Sequence, residues 1–404
     1  MLDLTKLARQ MQGISQHLSQ EAVASRKRLE LAQTLLQQAR VRQAELVSQQ
    51  QQWRDRIGFT AAEPVEPLST RITLKTPPNA HTVIATDGSQ ISPNHHEIAY
   101  CYLINVGRVV LHYGQSRHPL LDSVPEVFYR PEDLFVSRQW GIRTEEWMGY
   151  RRTVSEAEAL ADLAVTDRLM PAQKPVPILG MVDGSLIYWF LEGLPNDARD
   201  RILPPILEAW NRMRLAGVPL IGYLSASRSS EAINFLRLQA CPYPEPNCLT
   251  HCPSSGFGEE GGRDRAPCQV FDPLRDTLLW GTLLEPGQRG PLWRSSSSIL
   301  NWYGETQQVY FCYVNVGSEI ARIDCPAWVA EDSELLDSAL SLMLAQVQKG
   351  YGYPVTLAEA HNQAVVRGGD RTRFFTLLEQ QMIKAGLKNV GTSYKETRKR
   401  SSIA

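Results

Sequence analysis

From its first residues the chain repeats apolar and small side chains at alternating steps of three and four. Leu4, Leu7, Met11, Ile14 and Leu18 lead, and after a four-residue stutter come Ala22, Ser25, Leu29, Ala32, Leu36 and Ala39, reaching Leu46 and Trp53. This heptad seam predicts a long helix or helical pair over residues 2–56, paired as a coiled coil or laid on the chain's own globular domain. A proline-bearing stretch follows at 58–80, with Pro64, Pro67, Pro77 and Pro78, and reads as a linker. Then the period shortens. HTVIATDGSQ (81–90) is a β-branched run stopped by Asp-Gly, and IAYCYLINVGRVVLHYG (98–114) predicts a hairpin turning near Gly107. A helix is expected from 153 to 170, a buried strand in PVPILGMVDGSL (175–186), a helix at 197–215 and a strand at 218–226.

Beyond a Cys-, Gly- and Pro-rich insertion (241–268) come strand-like runs at 307–317 and 320–330, then helices at 331–348, 356–366 and 371–385. Strands alternating with helices predict an α/β fold, a mixed sheet flanked by helices. The expected organisation is a helical segment 1–57, the linker, one domain over 81–385 carrying the insertion, and a basic tail 386–404.

Composition narrows this little. The 404 residues carry 43% hydrophobic and 21% charged side chains and a net charge of -1, so any nucleic-acid surface must be a local patch. No apolar run reaches the roughly 18 residues of a membrane span, and the start lacks a secretory signal. A cytoplasmic location with reduced cysteines is expected. Cys101, Cys312 and Cys325 lie in apolar strand-like runs and read as core.

Two copies of Asp-Gly-Ser carry the strongest chemical signal. Asp87 and Asp183 each follow an apolar strand, where open α/β sheets place their sites. A phosphatase with an aspartyl nucleophile would need a second Asp two residues on, and Ser89 and Ser185 stand there instead. On the helix after 153, Glu156 shares the arc of Leu160, Leu163 and Ala164, while Glu158 points nearly opposite. A carboxylate on a core face calls for a metal or for a partner such as Arg151 or Arg152. Asp167 lies on the same face as a weaker candidate. His361 falls among the apolar positions Leu357, Ala360, Ala364 and Val365, and Thr356 with Glu359 reads as a capping box. Three carboxylates and a histidine suit hard ions such as Mg²⁺ or Mn²⁺, a pair of which can hydrolyse a phosphodiester. Separately, Cys241, Cys248, Cys252 and Cys268, with His251 between them, suggest a structural Zn²⁺ or an iron-sulfur cluster.

The segments ATDGSQ (85–90), RRTVSEAEAL (151–160), MVDGSL (181–186), VYFCYVNVGSEIARIDCPAWVAE (309–331) and GYPVTLAEAHNQAVV (352–366) together resemble the NurA-domain nuclease family. The N-terminal helix and the cysteine insertion resemble its cyanobacterial branch. The resemblance implies an RNase H-like core and Mn²⁺-dependent 5′-to-3′ exonuclease and single-strand endonuclease activity in DNA end resection. It also implies a homodimer and a HerA-type hexameric ATPase as partner. By the same resemblance the family's first Asp falls on Asp87, its helical Glu on Glu156, its second Asp on Asp183 and its C-terminal His on His361. SASRSS after the strand at 218–226 departs from the expected lysine, which assigns Arg228 to a phosphate-facing role. The alternative is a catalytically silent NurA-like module that binds DNA or a partner.

Overall fold

The structure, a computed structural model, describes residues 3–93, 99–169, 176–252 and 265–386. The basic tail beyond Gly386 and the middle of the cysteine insertion lie outside the described residues. The strands discussed below are β1 (His81–Ile91), β2 (Tyr102–Tyr113), β3 (Leu120–Phe128), β4 (Ile178–Asp183), β5 (Leu220–Leu224), β6 (Val309–Asn315) and β7 (Ile320–Pro326). The helices are α1 (Leu4–Val41), α2 (Gln43–Gln52), α3 (Thr144–Leu169), α4 (Leu203–Leu215), α5 (Glu231–Ala240), α6 (Asp276–Gly281), α7 (Ser333–Lys349), α8 (Val355–Ala364) and α9 (Gly368–Lys384). Two compact units share the chain, each assembled from separated stretches. The first comprises Met1–Leu74, Tyr223–Asn301 and Gln308–Ala327, and the second Lys75–Gly222, Trp302–Gln307 and Trp328–Ala404.

In the second unit β1 and β2 pair antiparallel along their length, with Asp87 opposite Gly107, and β3 extends the meander. β4 joins the other edge of β1 in parallel, Thr82 opposite Ile178, and β5 begins beyond β4. A parallel neighbour needs a long connection, and α3 lies within it. The order β3-β2-β1-β4-β5, with β2 the antiparallel member beside β1, is an RNase H-like arrangement. Val83, Ile84 and Ala85 are all fully buried, because helices cover both faces and no polar alternation survives. α3 covers one face with Val154, Ala157, Leu160, Ala161 and Ala164, a stripe at helical spacing. α8 covers the other with Leu357, Ala360 and Ala364.

Gly107 shows how closely α8 lies on the sheet. It is an interior residue of β2, so the hairpin expected there is a straight strand instead. A Cβ at Gly107 would stand 2.4 Å from the Ala360 carbonyl oxygen and 2.5 Å from the Ala364 nitrogen. Both are backbone atoms that cannot rotate aside. Gly107→Ala is therefore expected to destabilise the protein by roughly 1–3 kcal/mol in thermal or denaturant unfolding. Gly149→Ala, in α3 with open space around it, should be neutral or stabilising by up to about 1 kcal/mol. Equal stabilities for the two variants would remove the close-approach argument.

Other expectations shift at element ends. β1 runs through Asp87-Gly88 to Ile91, held by its pairing with β2, rather than stopping at Asp-Gly. α3 starts at Thr144, nine residues ahead of the expected start at 153. The capping box at Thr356 does not form. Pro354 is the N-cap of α8, and the buried Thr356 hydroxyl bonds Gln346.

In the first unit the core gathers Trp280, Trp293, Phe311 and Tyr313 with Phe235 and Leu236 of α5. Ala32, Leu36, Ala39 and Leu46 of α1 and α2 join it, so this half of the heptad seam lies on the chain's own unit. Leu4, Met11, Ile14 and Leu18 in the first half are exposed. β6 and β7 form an antiparallel pair, widened by the short strands Trp293–Arg294 and Gln288–Arg289. These in turn pair with Glu63–Pro64 and Ile72–Thr73 inside the stretch read as a linker. Arg322 is fully buried, with Glu231 and Asp324 each 2.7 Å away and the Phe311 ring 3.8 Å from its guanidinium carbon. Among the described residues no helix is long and apolar enough to cross a membrane.

Candidate active site

Successive side chains of a strand point to opposite faces, and this alternation divides the site between two helices. Asp87 and Ser89 of β1 face α8. The Ser89 hydroxyl donates to the Ala364 carbonyl at 2.7 Å and accepts the Val366 N–H at 3.1 Å. Asn105 of β2 donates to the same carbonyl at 2.8 Å. With the C-terminal end of α8 pinned this way, His361 stands beside Asp87, and its Nδ1 lies 2.8 Å from Asp87 Oδ2. The second carboxylate oxygen, Oδ1, accepts the Gly88 N–H at 2.8 Å. His361 is not the core residue its sequence neighbours suggested. Its side chain is 64% exposed, because it lies on the rim of the helix's covered face.

Glu156 reaches β1 from the opposite face, on α3. The Thr86 hydroxyl fixes the helix by donating to the Glu156 carbonyl at 2.9 Å. A Cβ at Gly88 would lie 2.4 Å from Glu156 Oε1 and 2.7 Å from Arg152 Cγ, so glycine is what admits this carboxylate to the strand. Arg152 Nε is 3.2 Å from Oε1, close enough for an ion pair, yet neither atom has a hydrogen bond of proper geometry. Burial pushes the Glu156 carboxyl up to about 7 against the pull of Arg152, and the charges of Asp87 and Asp183 push it the same way. Glu158 is exposed.

Asp183 ends β4. Burial raises its carboxyl above the usual range, a hydrogen bond from Tyr353 opposes this, and nearby Asp87 adds to the rise while His361 lowers it. Tyr353 directly precedes Pro354, so one helix entry delivers Tyr353 to Asp183 and, two turns on, His361 to Asp87. Tyr353 was not singled out from the sequence. The only available signal was an aromatic placed before the helix-opening proline. Arg152 had been weighed solely as a partner for Glu156, and it stands in that position.

Asp87, Glu156 and Asp183 therefore share one neighbourhood in the second unit, the charge of Asp87 reaching both other carboxyls and that of Asp183 reaching Glu156, with His361 at its edge. All donors are hard oxygens apart from one imidazole, a set that fits Mg²⁺ or Mn²⁺. Glu156 Oε1, buried without a hydrogen bond and met only by the ion pair with Arg152, is the atom such an ion would satisfy. Among the described residues no three His, Cys, Asp or Glu side chains already stand in ion-binding geometry. Here Asp87 is turned to His361 and Glu156 to Arg152. Asp167 is engaged elsewhere, in an ion pair with Arg117 and 3.9 Å from the His112 ring. Arg228 belongs to the first unit, where it is exposed and its carbonyl accepts from Arg275 at 2.6 Å.

The NurA domain matches residues 81–366, which include all four of these side chains. The fold is similar to the crystal structure of the NurA nuclease from Sulfolobus solfataricus at 12% identity, covering 78% of this chain and 88% of that one with a TM-score of 0.46. A second NurA crystal structure is similar at 11% identity, covering 76% and 90% with a TM-score of 0.35. A search of curated protein sequences gave no match.

Proposed function

The chain belongs to the NurA domain family, and from that premise we propose that it is a divalent-metal-dependent deoxyribonuclease. Asp87, Glu156 and Asp183 are the proposed metal ligands, with His361 as a catalytic residue at their edge. The observation that carries this reading is the meeting of three carboxylates from β1, α3 and β4, with more negative charge than Arg152 offsets. Mn²⁺ or Mg²⁺ bound there would activate a water and stabilise the leaving oxygen of a phosphodiester.

The chain's own groups have definite tasks in this scheme. Tyr353 holds Asp183 in place by its hydrogen bond. His361, bonded through Nδ1, leaves Nε2 at the exposed rim, where a doubly protonated ring would donate to a phosphate oxygen. Arg152 restrains Glu156 until an ion competes for it. We further propose 5′-to-3′ exonuclease and single-strand endonuclease activity on DNA ends, in a cytoplasmic homodimer working with a HerA-type ATPase.

Purified protein with end-labelled linear and single-stranded DNA tests the reading. Degradation is expected with Mn²⁺ and none with EDTA. Binding of DNA without cleavage at any Mn²⁺ or Mg²⁺ concentration would reject the nuclease in favour of a silent binding module.

A further inference from the structure

Four cysteines of the first unit surround one small cavity, far in sequence from any residue of the carboxylate site. Cys241 directly follows α5, Cys248 and Cys252 flank a single helical turn, and Cys268 is buried at 4% exposure. The cavity they line measures about 10 Å³, room for one water-sized particle, with Phe59, Arg237 and His251 also in its wall. Among the described residues no disulfide joins these cysteines. Each of Cys241 and Cys252 has its thiol raised first by burial and further by neighbouring sulfurs, Cys268 and Cys248 for the first and Cys248, Cys268 and Cys241 for the second.

Arg237 provides the independent observation. It is buried at 7% exposure, and among the described residues no carboxylate pairs with it. Its Nη2 donates to Cys268 Sγ at 3.5 Å, and its guanidinium carbon lies 3.7 Å from the centre of the Phe59 ring. Its Nε has no hydrogen-bond partner. A buried cation without a counter-charge is costly, and neutral thiols do not supply one. Four thiolates around a divalent ion carry a net charge of about −2, which a facing guanidinium offsets.

We propose that Cys241, Cys248, Cys252 and Cys268 bind a single structural zinc ion, with Arg237 as the buried counter-charge to the thiolates. The size of the cavity favours one ion over a cluster of several irons and sulfides. The centre would tie Cys241, directly after α5, to Cys268, and metal binding would add to the folding free energy of this part of the first unit. This inference does not depend on the nuclease reading.

The test is metal and acid-labile sulfide analysis of full-length protein purified without oxygen and washed with EDTA. About one zinc per chain is expected from four-coordinate thiolate ligation. It should be retained in Asp87→Asn and lost in Cys248→Ser and in Cys241→Ser. Cobalt(II) added to metal-stripped wild-type protein should give thiolate-to-cobalt absorption, which keeps the test decisive if the cysteine variants fail to fold. Iron with sulfide would overturn the single ion in favour of a cluster. Zinc that persists in both cysteine variants, or absence of any metal together with no cobalt–thiolate band, would overturn the site.

Discussion

Asp87→Asn is expected to lower Mn²⁺-dependent DNA cleavage by roughly 10³-fold or more while leaving the fold intact. Asparagine keeps the shape of the side chain and an oxygen to accept the Gly88 N–H, now 2.8 Å from Oδ1. Its amide can still meet His361 Nδ1, so the link between β1 and α8 survives. What disappears is the carboxylate whose charge pushes up both Glu156 and Asp183. Asp183→Asn should act alike, since it keeps the contact with Tyr353 and loses the charge. Ligands of one metal centre act as a unit, so the double variant should be little worse than either single one. Cleavage rates, with far-UV circular dichroism as the control for folding, decide the matter. A single variant that keeps activity within tenfold of wild type would remove that aspartate from the metal centre.

Much of this arrangement could be read from local pattern. β-branched runs gave β1 and β4, and helical periodicity set Glu156 toward the covered face of α3 and Glu158 toward solvent. The failures share a cause. At Gly88 and Gly107 a glycine that looked like a stop is instead a place where something else comes close, Glu156 in one case and the backbone of α8 in the other. Propensity registers a missing side chain but not the neighbour that needs the space. His361 was misplaced because an apolar arc gives a helix's inward direction but not where its cover ends. Arg237 and Phe59 were absent from the cysteine reading since neither lies among the cysteines in sequence. The two compact units were equally hidden. Residues 223–301 join the N-terminal helices through the packing of α5 and α6 against α1, and no boundary in composition marks that return.

Glu156→Gln should separate stability from function. At Glu156 the folded protein holds a carboxyl at about 7 that ionises near 4.5 in the unfolded chain. Below 4.5 the group is protonated in both states and costs nothing. As pH rises from 4.5 towards 7, the unfolded chain gains its charge while the folded protein does not, so stability falls. Above 7 the loss is complete and constant, worth up to about 3 kcal/mol for a carboxylate that is only a fifth exposed. Glutamine removes this loss. Metal-free Glu156→Gln should therefore unfold at higher denaturant concentration than metal-free wild type at pH 8, and the two should converge near pH 4. Added Mn²⁺ should reverse the order, because only the carboxylate gains from the ion, and binding to the native state alone stabilises it. For the same reason Mn²⁺ should stabilise wild type less as pH drops below about 7, where a proton competes for Glu156. Cleavage should be largely lost in the variant at every pH. If metal-free Glu156→Gln is the less stable protein at pH 8, the carboxylate is satisfied by Arg152 and is not strained for want of a cation.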